Sequence, residues 1–176
     1  MPSDTKNVKL GVCNVTFGAT DLGYTKGGVE VAVATETHKV NVDQFGNTTI
    51  NEYILGREVT VTVPLAETTL ENLVATMPGA TLVQSGTTPT KKKVSITTGV
   101  GISLLDLAQK LVLHPTANLP ANKTDDFTVP KAMTAGQITF AYKKDEERIY
   151  NVVFTGYPDP ATGIVAIVGD ESATTA

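Results

Sequence analysis

The sequence is poor in the side chains that form disulfides and metal sites. Its 176 residues include one cysteine and two histidines. A lone cysteine, Cys13, cannot form an internal disulfide, and its apolar neighbours Val12 and Val15 indicate a buried, unreactive thiol. A zinc site built from Cys and His needs about four ligands, and His38 and His114 are too few and lack a fixed spacing. We therefore expect no metal, no cofactor and no redox chemistry.

Aromatic side chains and long apolar runs are also scarce. The chain has no Trp and 6% aromatic residues, whereas a β-rich module that binds carbohydrate needs an aromatic platform for its ligand. No stretch approaches the roughly 20 apolar residues that span a bilayer, so we expect no membrane insertion. The first nine residues are charged and lack an apolar core, which predicts synthesis and folding in a cytoplasm.

The net charge of −4 argues against tight binding of nucleic acid, because binding requires a basic surface that neutralises phosphates. A mildly acidic wall that lets DNA pass without binding it is compatible with the same charge. The length fits one domain, large enough to bury roughly 70% of the surface of the unfolded chain.

Sequence motifs for catalysis are incomplete. Residues 18–23 have the glycine spacing of a phosphate loop, but Tyr-Thr-Lys at residues 24–26 replaces the required Lys-Ser/Thr pair. Gly-Val-Gly at residues 99–101 lacks the third glycine of a dinucleotide site, and no serine lies in a Gly-x-Ser-x-Gly elbow. The acidic pair at residues 125–126 favours capping or a salt bridge over acid/base chemistry. We expect no catalytic residues and no enzymatic activity.

Two segments alternate with a period of two. Valine alternates with glutamate or alanine in residues 29–34, and with glutamate or threonine in residues 58–63. Successive strand residues point to opposite faces, so the pattern predicts two strands with one face in the core and the other in water. The predicted core face consists of Val29, Val31, Val33, Val59, Val61 and Val63.

The abundance of Thr and Val predicts a mainly β domain. A helix is predicted at residues 68–77, with Thr68 and Glu71 as a capping box and Pro-Gly as its stop. A second helix is predicted from Ser103 to no later than His114, which precedes a proline. Strands are predicted at residues 8–17, 28–37, 39–42, 57–64, 81–84, 93–98, 137–142, 148–155 and 163–168.

Three segments do not fit a packed core. Residues 43–56 are turn-rich and polar, and residues 115–135 are predicted to form a long irregular excursion. The first of these segments also contains four large apolar side chains that need a cover: Phe45, Ile50, Tyr53 and Ile54. The termini lack apolar anchors. The predicted divisions are an N-terminal arm at residues 1–12, a domain at residues 13–169 and a flexible tail at residues 170–176.

The order of these segments resembles that of major tail tube proteins from long-tailed, siphovirus-like bacteriophages. The likeness covers nearly the whole chain, and its order and spacing carry more weight than any single segment. The matching segments are residues 27–31 (GGVEV), 36–43, 50–56, 59–73 (VTVTVPLAETTLENL), 111–115 (LVLHP) and 129–132 (VPKA).

The resemblance implies a β-sandwich or half-barrel flanked by one or two short helices. It also implies a structural virion protein that self-assembles. Six copies would form a ring whose inner sheets close into a barrel, and stacked rings would form the tube that delivers double-stranded DNA into the bacterial host. The loop at residues 43–56 would reach the neighbouring ring through Phe45, Ile50, Tyr53 and Ile54. The lumen would be lined by the face opposite the valines: Glu30, Ala32, Ala34, Glu36, Glu58, Thr60 and Thr62.

The resemblance also implies partners and a location. The tube would contact tape-measure and tail-terminator or tip proteins, and DNA would pass through it without specific binding. The protein would be made in the host cytoplasm and reside in the virion tail. The same resemblance allows the inner tube of a contractile tail or a tube-forming secretion protein. A monomeric β-sandwich binding module remains an alternative from a different class.

Overall fold

The computed structural model describes residues 4–5, 8–9, 11–87 and 91–174. The predicted arm at residues 1–12 therefore lies partly outside the described residues, as does the end of the predicted tail at residues 170–176.

Strands dominate the regular structure of the described residues, which confirms the predicted mainly β fold with one or two short helices. The strands are β1 (Cys13–Phe17), β2 (Thr20–Asp21), β3 (Glu30–Asn41), β4 (Thr49–Leu65), β5 (Ala80–Gln84), β6 (Lys92–Ile96), β7 (Gln109–Pro115), β8 (Phe127–Thr134), β9 (Tyr150–Tyr157) and β10 (Ile167–Val168). The helices are α1 (Leu70–Ala75) and α2 (Leu104–Leu107).

Most of the strands form one antiparallel sheet in the order β2-β1-β7-β8-β9-β4-β3, with β10 paired to β8. The sheet folds over on itself. Strands β1 and β9 are separated by β7 and β8 in the sheet, yet Phe17 on β1 packs against Phe154 on β9 with ring centroids 5.0 Å apart. Its two halves thereby become the facing layers of a sandwich around one core. The remaining strands, β5 and β6, pair with each other and contact α1.

Strand β8 shows that the predicted irregular excursion at residues 115–135 is wrong over its second half. Phe127–Thr134 is a central strand with several buried side chains. It contains Pro130, which cannot donate to a sheet ladder. The proline is accommodated at a β-bulge, where the register with residues 109–111 of β7 shifts. Beyond the bulge, residues 131–134 pair with β9.

The first helix is capped one residue later than predicted. The hydroxyl of Thr69 accepts the N–H of Asn72 (3.1 Å), whereas Thr68 accepts from the guanidinium of Arg148 (2.9 Å). Asn72 is buried, and its side-chain amide donates to the carbonyl of Leu22 (3.0 Å). This hydrogen bond ties α1 to the segment that follows β2.

The second predicted helix is wrong beyond its first turn. α2 is a single turn whose N-cap Ser103 accepts the N–H of Asp106 (3.4 Å). The chain then enters β7, where Leu111 and Leu113 are buried and the intervening side chains are less so. Apolar residues over so short a stretch fit a helical period and a strand period alike. Pairing of β7 with β1 and β8 decides the outcome.

The predicted strand at residues 137–142 is absent, and of the one at residues 163–168 only β10 is a strand. The first segment is instead held by Arg148, whose guanidinium carbon lies 5.7 Å from the ring centroid of Phe140 and 5.5 Å from that of Tyr142. Cation–π contacts of this kind fix a segment without ladder hydrogen bonds.

A matched pair of valines tests which part of the sandwich is covered. Val59 and Val33 face each other across β4 and β3, yet Val59 is 2% exposed and Val33 is 54% exposed. Val59→Ala should lower the free energy of unfolding by about 2 kcal/mol, because buried methyl groups are lost and a cavity remains. Val33→Ala should cost less than about 1 kcal/mol, through β-propensity alone. Urea denaturation of the dilute protein measures both changes, and equal losses would contradict the one-sided core.

Candidate functional site

Strands β3 and β4 form a long hairpin that extends beyond the sandwich. β3 pairs with β4 from Glu30 opposite Thr62 to Asn41 opposite Thr49. At about 3.3 Å per residue, the 12 residues of β3 span roughly 40 Å. Every residue of β3 except Val40 is exposed, and so is the first half of β4.

The predicted loop at residues 43–56 is the tip and part of one arm of this hairpin. A 3-10 turn at Asp43–Phe45 reverses the chain, and Gly46 follows it with a positive φ of 59° that L side chains rarely adopt. The N–H groups of Phe45 and Gly46 donate within the turn, at 3.0 and 3.2 Å. The loop prediction is thus wrong for residues 49–56, which belong to β4.

The residues predicted to line a lumen share one face of the hairpin. Opposite residues of an antiparallel pair point to the same side of the sheet. The cross-strand pairs are Glu30 with Thr62, Ala32 with Thr60, Ala34 with Glu58, and Glu36 with Gly56. None of the predicted residues is buried. The face is accessible, and its charged groups are glutamates.

Strand β9 widens this face beyond the two strands that the sequence identified. Val153 lies opposite Thr62 and Thr155 lies opposite Thr60. Val153 is 45% exposed, in contrast to the buried Phe154 beside it. The alternation of β9 indicates which side chains avoid the core, but no sequence signal indicates that β9 is the neighbour of β4.

The valine face is divided between the core and solvent. Val59, Val61 and Val63 on β4 are buried as predicted, whereas Val31 and Val33 on β3 are exposed, contrary to prediction. β3 is the terminal strand of the sheet, and the opposing layer does not cover it. The period of two therefore predicted correctly that these valines share a face, but it predicted the burial of the valines on β3 wrongly.

Two β-bulges distribute the apolar residues of the hairpin between its faces. The register of β4 against β3 shifts at Leu55 and again at Ile50. Beyond the first bulge, Tyr53 pairs with His38 and lies on the glutamate face, whereas Ile54 lies on the valine face. The predicted stacking residues therefore do not form one patch.

All four predicted stacking residues are exposed in the single chain. Phe45 at the tip is 66% exposed, and Ile50, Tyr53 and Ile54 are also solvent-accessible. Leu55 joins them and was missed, although its position next to Ile54 gave a signal. No described part of the chain covers these side chains, and their contact with a neighbouring ring remains a prediction.

A cavity of about 510 Å³ lies at the opposite end of β3 from the hairpin tip. Val29 immediately before β3, Cys13 at the start of β1 and Pro115 at the end of β7 contribute to its lining. An ion pair between Lys9 and Asp125 borders it. The lining is largely apolar, and the cavity is open to solvent.

Cys13 is half-buried beside this cavity, less enclosed than predicted. Burial raises the pKa of its thiol, and a backbone hydrogen bond opposes the shift more weakly. The thiolate, which is the reactive form, is therefore scarce near neutral pH.

The described residues contain no group of three or more His, Cys, Asp or Glu side chains arranged to hold a metal ion. The closest pairing of an imidazole with an acid joins Nδ1 of His114 to Oδ1 of Asp126 at 2.6 Å. Asp126 is buried, and this contact connects β7 to the turn before β8. Within the same residues, no helix has the length and apolar character needed to cross a bilayer.

Comparison with known proteins gives a distant structural likeness. No family model and no curated protein sequence matches the chain. A solved structure described as the virion of a native gene transfer agent particle is similar with a TM-score of 0.38 and 10% identity, over 88% of this chain and 93% of that chain. A TM-score this low does not establish a shared fold.

The ion pair beside the cavity gives a pKa prediction. Lys9, and less strongly Asn118, hold the pKa of Asp125 below its ordinary value by donating hydrogen bonds to it. Lys9→Ala should raise that pKa toward its ordinary value in an NMR titration. Lys26→Ala, which removes the partner of Glu147, should leave Asp125 unchanged and serves as the control.

The pKa of Asp125 also sets the sign of a small pH effect. A carboxyl whose pKa is depressed by folding favours the folded state above its unfolded pKa, and this contribution is lost as pH falls through the folded pKa. Because the pair is solvent-exposed, the change in stability should be slight. An unchanged pKa of Asp125 in Lys9→Ala would contradict the ion pair.

Proposed function

We propose that this chain is the structural subunit of a phage-like tail tube, in which hexameric rings stack around a channel for double-stranded DNA. One observation carries the proposal: the β3–β4 register gathers the predicted lumen residues on one accessible face, opposite valines of β4 that enter the core. A wall that is acidic and otherwise small suits a channel that DNA crosses without binding. The sequence resemblance to tail tube proteins supports the same function.

The terminal strand β3 supports lateral association between copies. No strand of the described chain pairs with its outer edge, and Val31 and Val33 leave an apolar strip in water. A long exposed edge with an apolar face is a template for pairing with another chain. Closure of several copies into a barrel would pair the backbone N–H and C=O groups at the outer edge of β3 and cover the apolar strip.

The acidic groups of the lumen face lie at three levels along the hairpin. Glu30 is at its base, Glu58 lies opposite Ala34 four residues further along, and Glu36 is two residues beyond that level. At about 3.3 Å per residue the levels are roughly 13 and 7 Å apart. The Debye length is about 8 Å at physiological salt, so the fields of Glu58 and Glu36 overlap, whereas Glu30 lies beyond one Debye length from them. Repetition around a ring would give two bands of negative potential, one at Glu30 and one at Glu58 and Glu36.

The exposed hairpin supports stacking along the tube axis. Its apolar tip projects away from the sandwich, so a following ring can cover it. Tape-measure and terminator or tip proteins would then meet the first and last rings. The same surfaces suit the inner tube of a contractile tail or a secretion tube, and the proposal covers subunits of that general type.

Lateral association can be separated from folding with two matched substitutions. Val33→Glu should leave the subunit folded but prevent rings, because a charge would enter the contact at the apolar strip. Val153→Glu introduces the same group at similar exposure on the lumen face, so assembly should persist. Negative-stain microscopy and sedimentation of the purified proteins measure the outcome. Monomers in the wild type at high concentration would refute the proposed function.

The lumen assignment predicts a change in DNA passage. Replacing Glu30 and Glu58 with Lys should permit assembly, because exposed charges contribute little to stability. The altered tubes should retain duplex DNA with an affinity that falls steeply as salt rises, and particles that carry them should eject DNA slowly. The control replaces Glu146 and Glu147, which lie in an exposed loop before β9, and thus changes the net charge equally. The same DNA retention in both variants would contradict a lumen position.

A further inference from the structure

Apolar surface is accessible to solvent at each of the two ends of strand β3, which we call its poles. At one pole the hairpin tip exposes Phe45 and Ile50. At the other pole, just before Glu30, lies the cavity beside Val29. The poles are separated by the length of β3, roughly 40 Å. The tip of a chain therefore cannot enter the cavity of the same chain.

The cavity is built to receive apolar side chains. Val8, Val12, Val29 and Pro115 contribute to its lining. Val8 and Val12 are largely exposed, at 74% and 63%, although they face a concave surface. Apolar groups in such a recess lose their contact with water when another apolar surface enters.

Backbone hydrogen bonds hold the conformation of the hairpin tip. Besides the two hydrogen bonds within its 3-10 turn, the N–H of Thr48 donates to the carbonyl of Phe45 (3.2 Å). This backbone is ordered before any contact forms, so binding loses little conformational entropy. Phe45 has two side-chain torsions and a large apolar surface, which makes it an efficient anchor.

A charged group at each pole can also contribute to the contact. The tip carries the exposed carboxylate of Asp43. The cavity is bordered by Lys9, whose side chain is 62% exposed and whose ammonium, which has three N–H donors, forms an ion pair with Asp125. Lys9 can therefore donate to a second carboxylate while it keeps its contact with Asp125.

We propose that the cavity receives the β3–β4 hairpin tip of a second copy of this chain, with Phe45 as the leading side chain. Such a contact joins two different surfaces at opposite poles of one strand. Contacts of this head-to-tail type do not close on a pair of molecules, so repetition along the strand direction gives an open stack. The inference rests on the proposed function, because it specifies which surface of the next ring the hairpin meets.

The test uses the native cysteine beside the cavity. In Phe45→Cys, the introduced thiol of one copy should come close to Cys13 of the next. Oxidation of assembled protein with diamide should then give a ladder of covalent multimers, with the peptides of residues 13 and 45 linked in mass spectrometry. Val100→Cys is the control, because Val100 is 90% exposed, is not part of the hairpin and does not line the cavity. It should give no link to Cys13, and the Cys13→Ser, Phe45→Cys double variant should lose the ladder.

A second measurement needs no new thiol. Alkylation of Cys13 by N-ethylmaleimide should be at least about tenfold slower in the wild-type assembly than in the dilute subunit. Phe45→Ala should weaken stacking by at least about tenfold, since the burial of the Phe side chain at the contact would be lost.

The outcomes separate the two levels of the hypothesis. Stacked rings with equal alkylation of Cys13 in both states, or with links between two copies of residue 45 alone, would overturn the cavity as receptor and leave the tube intact. Failure of the wild type to form rings or tubes would overturn the proposed function and the inference together.

Discussion

The register of β4 against its two neighbours is the constraint on which both faces of the molecule depend. Val59, Val61 and Val63 are buried because β4 lies between β9 and β3 in the observed register. A slip of one residue would move the valines into water and Thr60 and Thr62 into the core. Each buried valine contributes about 1.5–3 kcal/mol, so the core fixes the register. The acidic face is thus positioned by burial on the other side of the sheet.

The sequence alone was sufficient for the parts of this sheet that depend on local alternation. The period of two in residues 29–34 and 58–63 correctly predicted which side chains share a face. It did not predict Val153 as a neighbour of Thr62, because adjacency of strands distant in sequence leaves no local trace. For the same reason, the alternation predicted burial of Val33 and could not show that the opposing layer ends before β3.

Three of the wrong assignments share a physical cause, since in each a local signal was overruled by strand pairing. Residues 127–134 were assigned to an irregular excursion, but they form a central strand in which a bulge of the β7–β8 pair accommodates Pro130. Residues 109–114 fit a helix until pairing with β1 is included. Because residues 43–48 are typical of turns, the predicted loop was extended over the first residues of the strand that follows them. A mainly β fold with non-local pairing is especially subject to this error, whereas Ser103 and Thr69 cap their short helices by local chemistry.

The bulge at Leu55 links the register of the core to the chemistry of the hairpin. With uninterrupted pairing, Ile54 would continue the face that carries Glu36. The extra residue instead turns Ile54 to the valine side and brings Tyr53, with its polar hydroxyl, opposite His38. The acidic face therefore continues along the hairpin with side chains that tolerate water. Ile54 is directed to the other face and Phe45 lies at the tip, where the proposed contacts with further copies would cover them.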